Sequence, residues 1–136
     1  GHPLGTAIGL KTFNIIENPM QQQKMSKSSQ HFAEIIQGLK IDYPFMTRVQ
    51  VLGHAAGIDI CDPNTHEPAT EKVHKLVEMA LNNPYEYNGE KYGIILTAGG
   101  LHNSSLMLSP CVFISDEELN LFNKLFRFYI NTVFEV

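Results

Sequence analysis

Cysteine is scarce in this chain. Cys61 and Cys111 are the only two, too few for a disulfide framework. The expectation is a reduced, cytoplasmic protein with two buried thiols acting as small hydrophobes. Positive charge is also short: 10 Lys+Arg stand against 14 Asp+Glu, for a net charge of −4. A nucleic-acid partner needs clustered cations to meet phosphate, so none is expected. No apolar run approaches the roughly 20 residues of a membrane span, so no membrane partner is expected. Nor is a basic-then-apolar leader with a cleavage site read at the start. Only 18% of residues are charged against 43% hydrophobic, which excludes disorder and coiled-coil arrays.

What is present fits one domain over residues 1–136, a length that should bury about two-thirds of the surface the unfolded chain exposes. The sequence opens at Gly1-His2-Pro3-Leu4, already at the first turn of a predicted helix, and so reads as cut from something longer. Pro3 suits the first helical position because its missing N–H loses no partner there. Leu4, Ala7, Ile8, Ile15 and Ile16 lie roughly on one side, and Asn18-Pro19 stops the helix. A second helix over about Gln21–Leu39 carries Met25, Phe32, Ile35, Ile36 and Leu39 at a 3.6 period. Gly38 or the Asp42-Tyr43-Pro44 turn ends it.

Two short strands follow, Thr47–Leu52 and Ala55–Cys61, bent at Gly53, and Gly57 suggests a bulge or a close backbone approach. Asp62-Pro63-Asn64-Thr65 is a turn. Val73, Leu76, Val77, Ala80 and Leu81 predict an amphipathic helix closed by Asn82-Asn83-Pro84. Tyr85–Tyr92 is a polar, aromatic connection turning at Asn88-Gly89. Ile94–Thr97 reads as a short strand ending at Gly99-Gly100, with Leu106–Leu108, extendable to Phe113, as its antiparallel partner. Ser115-Asp116-Glu117-Glu118 is a capping box for a last helix striped by Leu119, Phe122, Phe126, Tyr129 and Val133. The order α-α-β-β-α-β-β-α predicts a two-layer α+β domain, a small, mainly antiparallel sheet with helices on one face.

Chemistry is thin on residues alone. Of the six histidines only His66 and His74 are close, and a spacing of eight does not make a metal site, so no metal is expected. Ser104, Ser105 and Ser109 near His102 sit in no nucleophile elbow, and Cys61 and Cys111 lack an activating base. Asp59 reads as an acid on the solvent face of an edge strand rather than a general base. Gly99-Gly100-Leu101-His102-Asn103 joins two strands with a loop able to approach a ligand closely. Spacing alone favours an ordinary glycine-rich hairpin, and no helix opens after it to hold phosphate.

Three stretches in order nevertheless resemble the C-terminal small domain of class III, pyridoxal-phosphate-dependent aminotransferases of fold type I. They are GHPLGTAIGLKTFNIIE, VLGHAAGIDICDPNTHEPA and GIILTAGGLHNSSLMLSPCVFISDEEL, and the resemblance spans nearly the whole chain. Departures are Gln50-Val51 for an Arg-Gly pair, Pro110-Cys111 for Pro-Pro, and Met107 at a position where members acting on amino acids often carry a carboxylate-clamping arginine. Arg48 and Arg127 do not replace it by register.

The resemblance implies transamination between an amine or amino acid and a keto acid, with pyridoxal 5′-phosphate as cofactor. It implies an amine (omega) transaminase type, a homodimer, and a large cofactor-binding domain absent from this sequence. No catalytic or cofactor-binding residue carries over, since the Schiff-base lysine, the acid facing the pyridine nitrogen and the phosphate cup belong to that large domain. No lysine here matches, Lys11, Lys24 and Lys91 included, so the chain alone is expected to be inactive. Gly99, Gly100, His102, Asn103 and Met107 are expected to face the substrate pocket. Two other readings are a free-standing, non-catalytic interaction module and a member of the same family with decarboxylase or aminomutase chemistry.

Overall fold

The computed structural model describes residues 1–136, in the order α1 (Pro3–Ile16), α2 (Pro19–Asp42), β1 (Met46–Leu52), β2 (Ala55–Ile60), α3 (Thr70–Asn82), β3 (Tyr85–Tyr87), β4 (Glu90–Tyr92), β5 (Thr97–Gly99), β6 (Ser105–Leu108) and α4 (Asp116–Phe134). The expected α+β architecture stands, with one hairpin more than the sequence pattern disclosed. β1, β2, β6 and β5 form a four-stranded antiparallel sheet in that order, while β3 and β4 pair apart from it.

Local chemistry sets most boundaries. The Asn18 side chain accepts from the backbone N–H groups of Met20 and Gln21 and so starts α2. That helix runs past Gly38, where nothing crowds the chain, and stops at Asp42 before Tyr43-Pro44. At α4 both halves of the capping box form: Glu118 N–H donates to Ser115 Oγ at 3.2 Å, and Ser115 N–H to Glu118 Oε2 at 2.8 Å. These bonds favour the carboxylate form and lower the Glu118 pKa.

Period-two alternation divides the sheet into two faces. Val49, Val51, Ala56, Ile58, Ile60, Leu106 and Leu108 point towards α2, α3 and α4. There they join Phe32, Ile36 and Leu39 of α2, Val73 and Leu76 of α3, and Leu119, Phe126, Tyr129 and Ile130 of α4. Each fully buried side chain of this kind contributes about 1.5–3 kcal/mol of transfer free energy, so one contiguous core holds the helices to one face. Polar groups inside it are satisfied, as where the Tyr129 hydroxyl donates to the Asn83 carbonyl at 2.8 Å.

Four expectations change. β2 lies between β1 and β6, so Asp59 is on a central strand and not an edge. The irregularity predicted at Gly57 falls instead between Met46 and Arg48, where one extra residue shifts the register. β5 begins at Thr97, later than Ile94, and β6 ends at Leu108, because Pro110 cannot continue a ladder. The thiols are not both buried: Cys61 is half-buried and Cys111 is exposed in the loop after β6.

Candidate functional site

The candidate loop is the β5–β6 connection, and its shape follows from two residues with left-handed backbone. Gly100 has φ 78° and Asn103 φ 51°. A Cβ on Gly100 would lie 2.6 Å from Ser105 Oγ, so both the dihedral and the space restrict this position to glycine. The Asn103 N–H donates to the Gly100 carbonyl at 3.3 Å, closing the turn. Thr70 Oγ1 donates to the His102 carbonyl at 2.7 Å and ties the loop to the start of α3. Leu101, His102 and Asn103 project into solvent while Ser104 is buried, its carbonyl accepting from the Ile60 N–H at 2.9 Å. A firmly anchored loop with exposed side chains can present groups to a ligand.

The sheet places the remaining candidate beside it. Met107 pairs with Gly57 on β2 and Thr97 on β5, and it points away from the core. It is 60% exposed. A Cβ added to Gly99 would sit 3.6 Å from Met107 Cγ, so the thioether leans over that glycine. Met107 also lines a hollow of about 160 Å³ with Ile94, Ile95, Pro110 and Phe122. Gly99, Gly100, His102, Asn103 and Met107 thus gather at one end of the sheet, around its uncovered face.

Register also assembles a polar row that sequence reasoning missed. Arg48, Asp59, Ser105 and Gly99 are successive cross-strand partners on β1, β2, β6 and β5, and share that open face. The Ser105 hydroxyl donates to Asp59 Oδ1 at 2.6 Å. Alternation could place Asp59 outward, but only strand order, which no local pattern specifies, sets Ser105 beside it.

Elsewhere the histidines stay apart. His31 Nδ1 meets Asp116 Oδ1 at 2.6 Å, and His54 Nε2 meets the buried Ser28 hydroxyl at 2.8 Å. Burial lowers the His54 pKa by disfavouring the imidazolium. All eight lysines are exposed, which does not fit a coenzyme anchor: an amine that condenses with a carbonyl is kept neutral by a desolvated pocket or a neighbouring cation.

No protein-family model matches the chain. Over 125 residues it is 29% identical to a probable 4-aminobutyrate aminotransferase of Bacillus subtilis, covering 88% of this chain and 26% of that protein. Over 126 residues it is 25% identical to a diaminobutyrate–2-oxoglutarate aminotransferase of Rhizobium meliloti, covering 88% and 25%. The chain is thus similar in sequence to part of two aminotransferases. Its fold agrees: a PLP-bound aminotransferase mutant from Vibrio fluvialis superposes with TM-score 0.80 at 16% identity, over 99% of this chain and 28% of that one. The chain therefore spans about a quarter of the length of the curated relatives it matches.

Proposed function

We propose that residues 1–136 form a single domain that walls the substrate site of a pyridoxal-phosphate-dependent aminotransferase, one passing an amino group from an amine or amino acid to a keto acid. The alignment of 125 residues with a probable aminotransferase carries this reading. Two structural features support it. The sheet leaves one face open, and α1 buries none of its residues although it carries Leu4, Ile8, Leu10 and Phe13. Large apolar side chains left exposed together on one helix ask for a covering surface. On this reading a large domain holds the coenzyme, a second subunit completes a cytoplasmic homodimer, and the 136-residue chain alone is inactive.

Within that site, Gly99, Gly100, His102, Asn103 and Met107 face the substrate. Met107 offers no fork to a carboxylate, since a thioether cannot stabilise that charge. The donor is therefore an amine or an amino acid reacting through a distal amino group, or the acid is clamped by another residue. The relatives are named for 4-aminobutyrate and diaminobutyrate, both with an amino group beyond the α-carbon, which supports a distal-amine donor. Nothing comparable favours the free-standing interaction module or decarboxylase and aminomutase chemistry.

Titration with pyridoxal phosphate tests the reading. The longer protein containing this chain is expected to gain the coenzyme's absorbance and transfer amino groups, and the 136-residue chain to do neither. Transfer by the short chain alone would overturn it, as would a longer protein that binds no coenzyme.

A further inference from the structure

An asparagine modifies itself when the backbone nitrogen of the next residue reaches its side-chain carbonyl carbon, and this fold withholds that nitrogen almost everywhere. Asn18 and Asn83 precede prolines, whose nitrogens carry no proton. Asn14, Asn120, Asn123 and Asn131 lie inside α1 and α4, where helical hydrogen bonds hold the following N–H. Asn82 ends α3, and the N–H after it donates to the Met79 carbonyl at 2.9 Å. After Asn64, the Thr65 N–H donates to Asp62 Oδ1 at 2.9 Å. After Asn103, Ser104 is buried and its carbonyl accepts from the Ile60 N–H, so that peptide cannot turn.

Asn88 is the exception. Gly89 follows it, both are exposed, and the Gly89 N–H has no hydrogen-bond partner. The two form the tip of the β3–β4 hairpin with φ 54° and 80°, the left-handed pair that a two-residue type I′ turn demands. No Cβ shields the Gly89 nitrogen, and nothing lies within 4 Å of where one would be. The hairpin is also lightly held: each strand has three residues, and it pairs with no other strand. Such a pair is marginal by itself, so its tip can open far enough for the attack.

We propose that Asn88 is a spontaneous modification site, converting to aspartate and isoaspartate, and that the isoaspartyl product unfastens the β3–β4 hairpin from α4. The Gly89 nitrogen gives its proton to hydroxide and attacks Asn88 Cγ, closing a five-membered succinimide. The Cγ–Nδ2 bond breaks, and Nδ2 takes a proton from water and leaves as ammonia. Water then adds to either ring carbonyl and opens the ring. One opening yields aspartate; the other yields a main chain that runs through Cβ and Cγ. An amide becomes an acid, one water is consumed, and no oxidant takes part. The isoaspartyl form carries an extra main-chain carbon between Tyr87 and Glu90, which pair directly, and a new negative charge two residues from Glu86 and from Glu90. A two-residue turn cannot absorb that atom and keep register. The contacts that fasten the hairpin, Tyr85 against Phe128 and Lys124 donating to the Tyr87 hydroxyl, then lose their frame.

The test ages the longer protein containing this chain at mildly alkaline pH, as wild type and as Asn88→Gly, a change that keeps both positive φ values and removes the side-chain amide. Peptide mapping is expected to find acid at Asn88 at least about tenfold ahead of Asn64 and Asn103, because only Asn88 precedes a residue without Cβ. Isoaspartyl methyltransferase with labelled S-adenosylmethionine is expected to label the aged wild type and not Asn88→Gly. Conversion led by another asparagine, no label on the wild type, or equal label on the variant would overturn the site. Trypsin is expected to cut the aged wild type after Lys91, on β4, several-fold faster than fresh protein, with no such gain in aged Asn88→Gly. Cleavage at the fresh rate would overturn the release of the hairpin.

Discussion

Helices α1 and α4 draw on the same apolar residue types, yet α4 buries seven residues and α1 none. The difference lies in placement around the axis. In α4, Leu119, Phe122, Phe126, Tyr129 and Val133 recur three to four apart, and the stripe packs against α2 and α3. In α1, Leu10 and Phe13 point away from the side of Leu4, Ile8 and Ile15, and both are 64% exposed. A stripe finds its partner within a small domain, whereas apolar residues scattered around the axis between Thr6, Lys11, Thr12 and Asn14 offer no single face to pack. Hydrophobic content alone therefore says little about which helix this domain's core contains.

The largest expected effect tests that contrast directly. Phe126→Ala removes a fully buried ring and should cost about 3–5 kcal/mol in urea unfolding of the 136-residue chain. Phe13→Ala should stay within about 0.5 kcal/mol, because its ring touches no core. Similar losses at the two positions would mean that α1 is packed in solution, and the comparison would break.

Two glycines sharpen the contrast between enclosed and open positions. Gly100→Ala must hold φ near 78° and displace Ser105, which should destabilise by about 1–3 kcal/mol. Gly57→Ala enters open space and should be neutral within about 0.5 kcal/mol by the same measurement.

Caps give a smaller effect. Ser115→Ala deletes the capping box of a core helix and should lower the unfolding free energy by about 1 kcal/mol. His2 caps α1 without any side-chain hydrogen bond, so His2→Asp should raise helicity in circular dichroism. Global stability should not follow, since α1 adds nothing to the cooperative core.

Elements built from local signals were legible in the sequence. The α4 capping box, the amphipathic α3, the alternation of β1 and β2, and the hairpin turn before β6 all rest on contacts a few residues apart. What rested on long-range order was not. Asp59 was assigned to an edge because nothing near it in sequence reveals that β6 returns to its other side. Likewise, only register across the sheet places Arg48 on the same face as Met107. The β3–β4 hairpin was hidden because its three-residue strands are stabilised from outside, by Tyr85 against Phe128 and by Lys124 donating to the Tyr87 hydroxyl at 2.9 Å. The candidate loop itself was found by composition, since two glycines before polar residues announce a turn wherever they fold.

The smallest effect concerns pH, and it belongs to the packed half of the molecule. His54, at the β1–β2 turn, meets the Ser28 hydroxyl on α2, and Ser28 also donates to the Met25 carbonyl at 3.2 Å. Desolvation holds the folded-state pKa of His54 below its ordinary 6.5. The unfolded chain therefore binds the proton more readily, and stability must rise with pH across this interval. The contribution is complete above the ordinary value and is lost as pH falls through the folded pKa. Glu118 and Asp62, both lowered by hydrogen bonds, act in the same direction but only nearer the acid range of carboxylates. Unfolding midpoints measured between about pH 7.5 and pH 5 should thus decline in the wild type and flatten in His54→Gln. A slope of equal size in the variant would mean that the imidazole is solvated, and that Ser28 fastens α2 to the sheet without help from the turn.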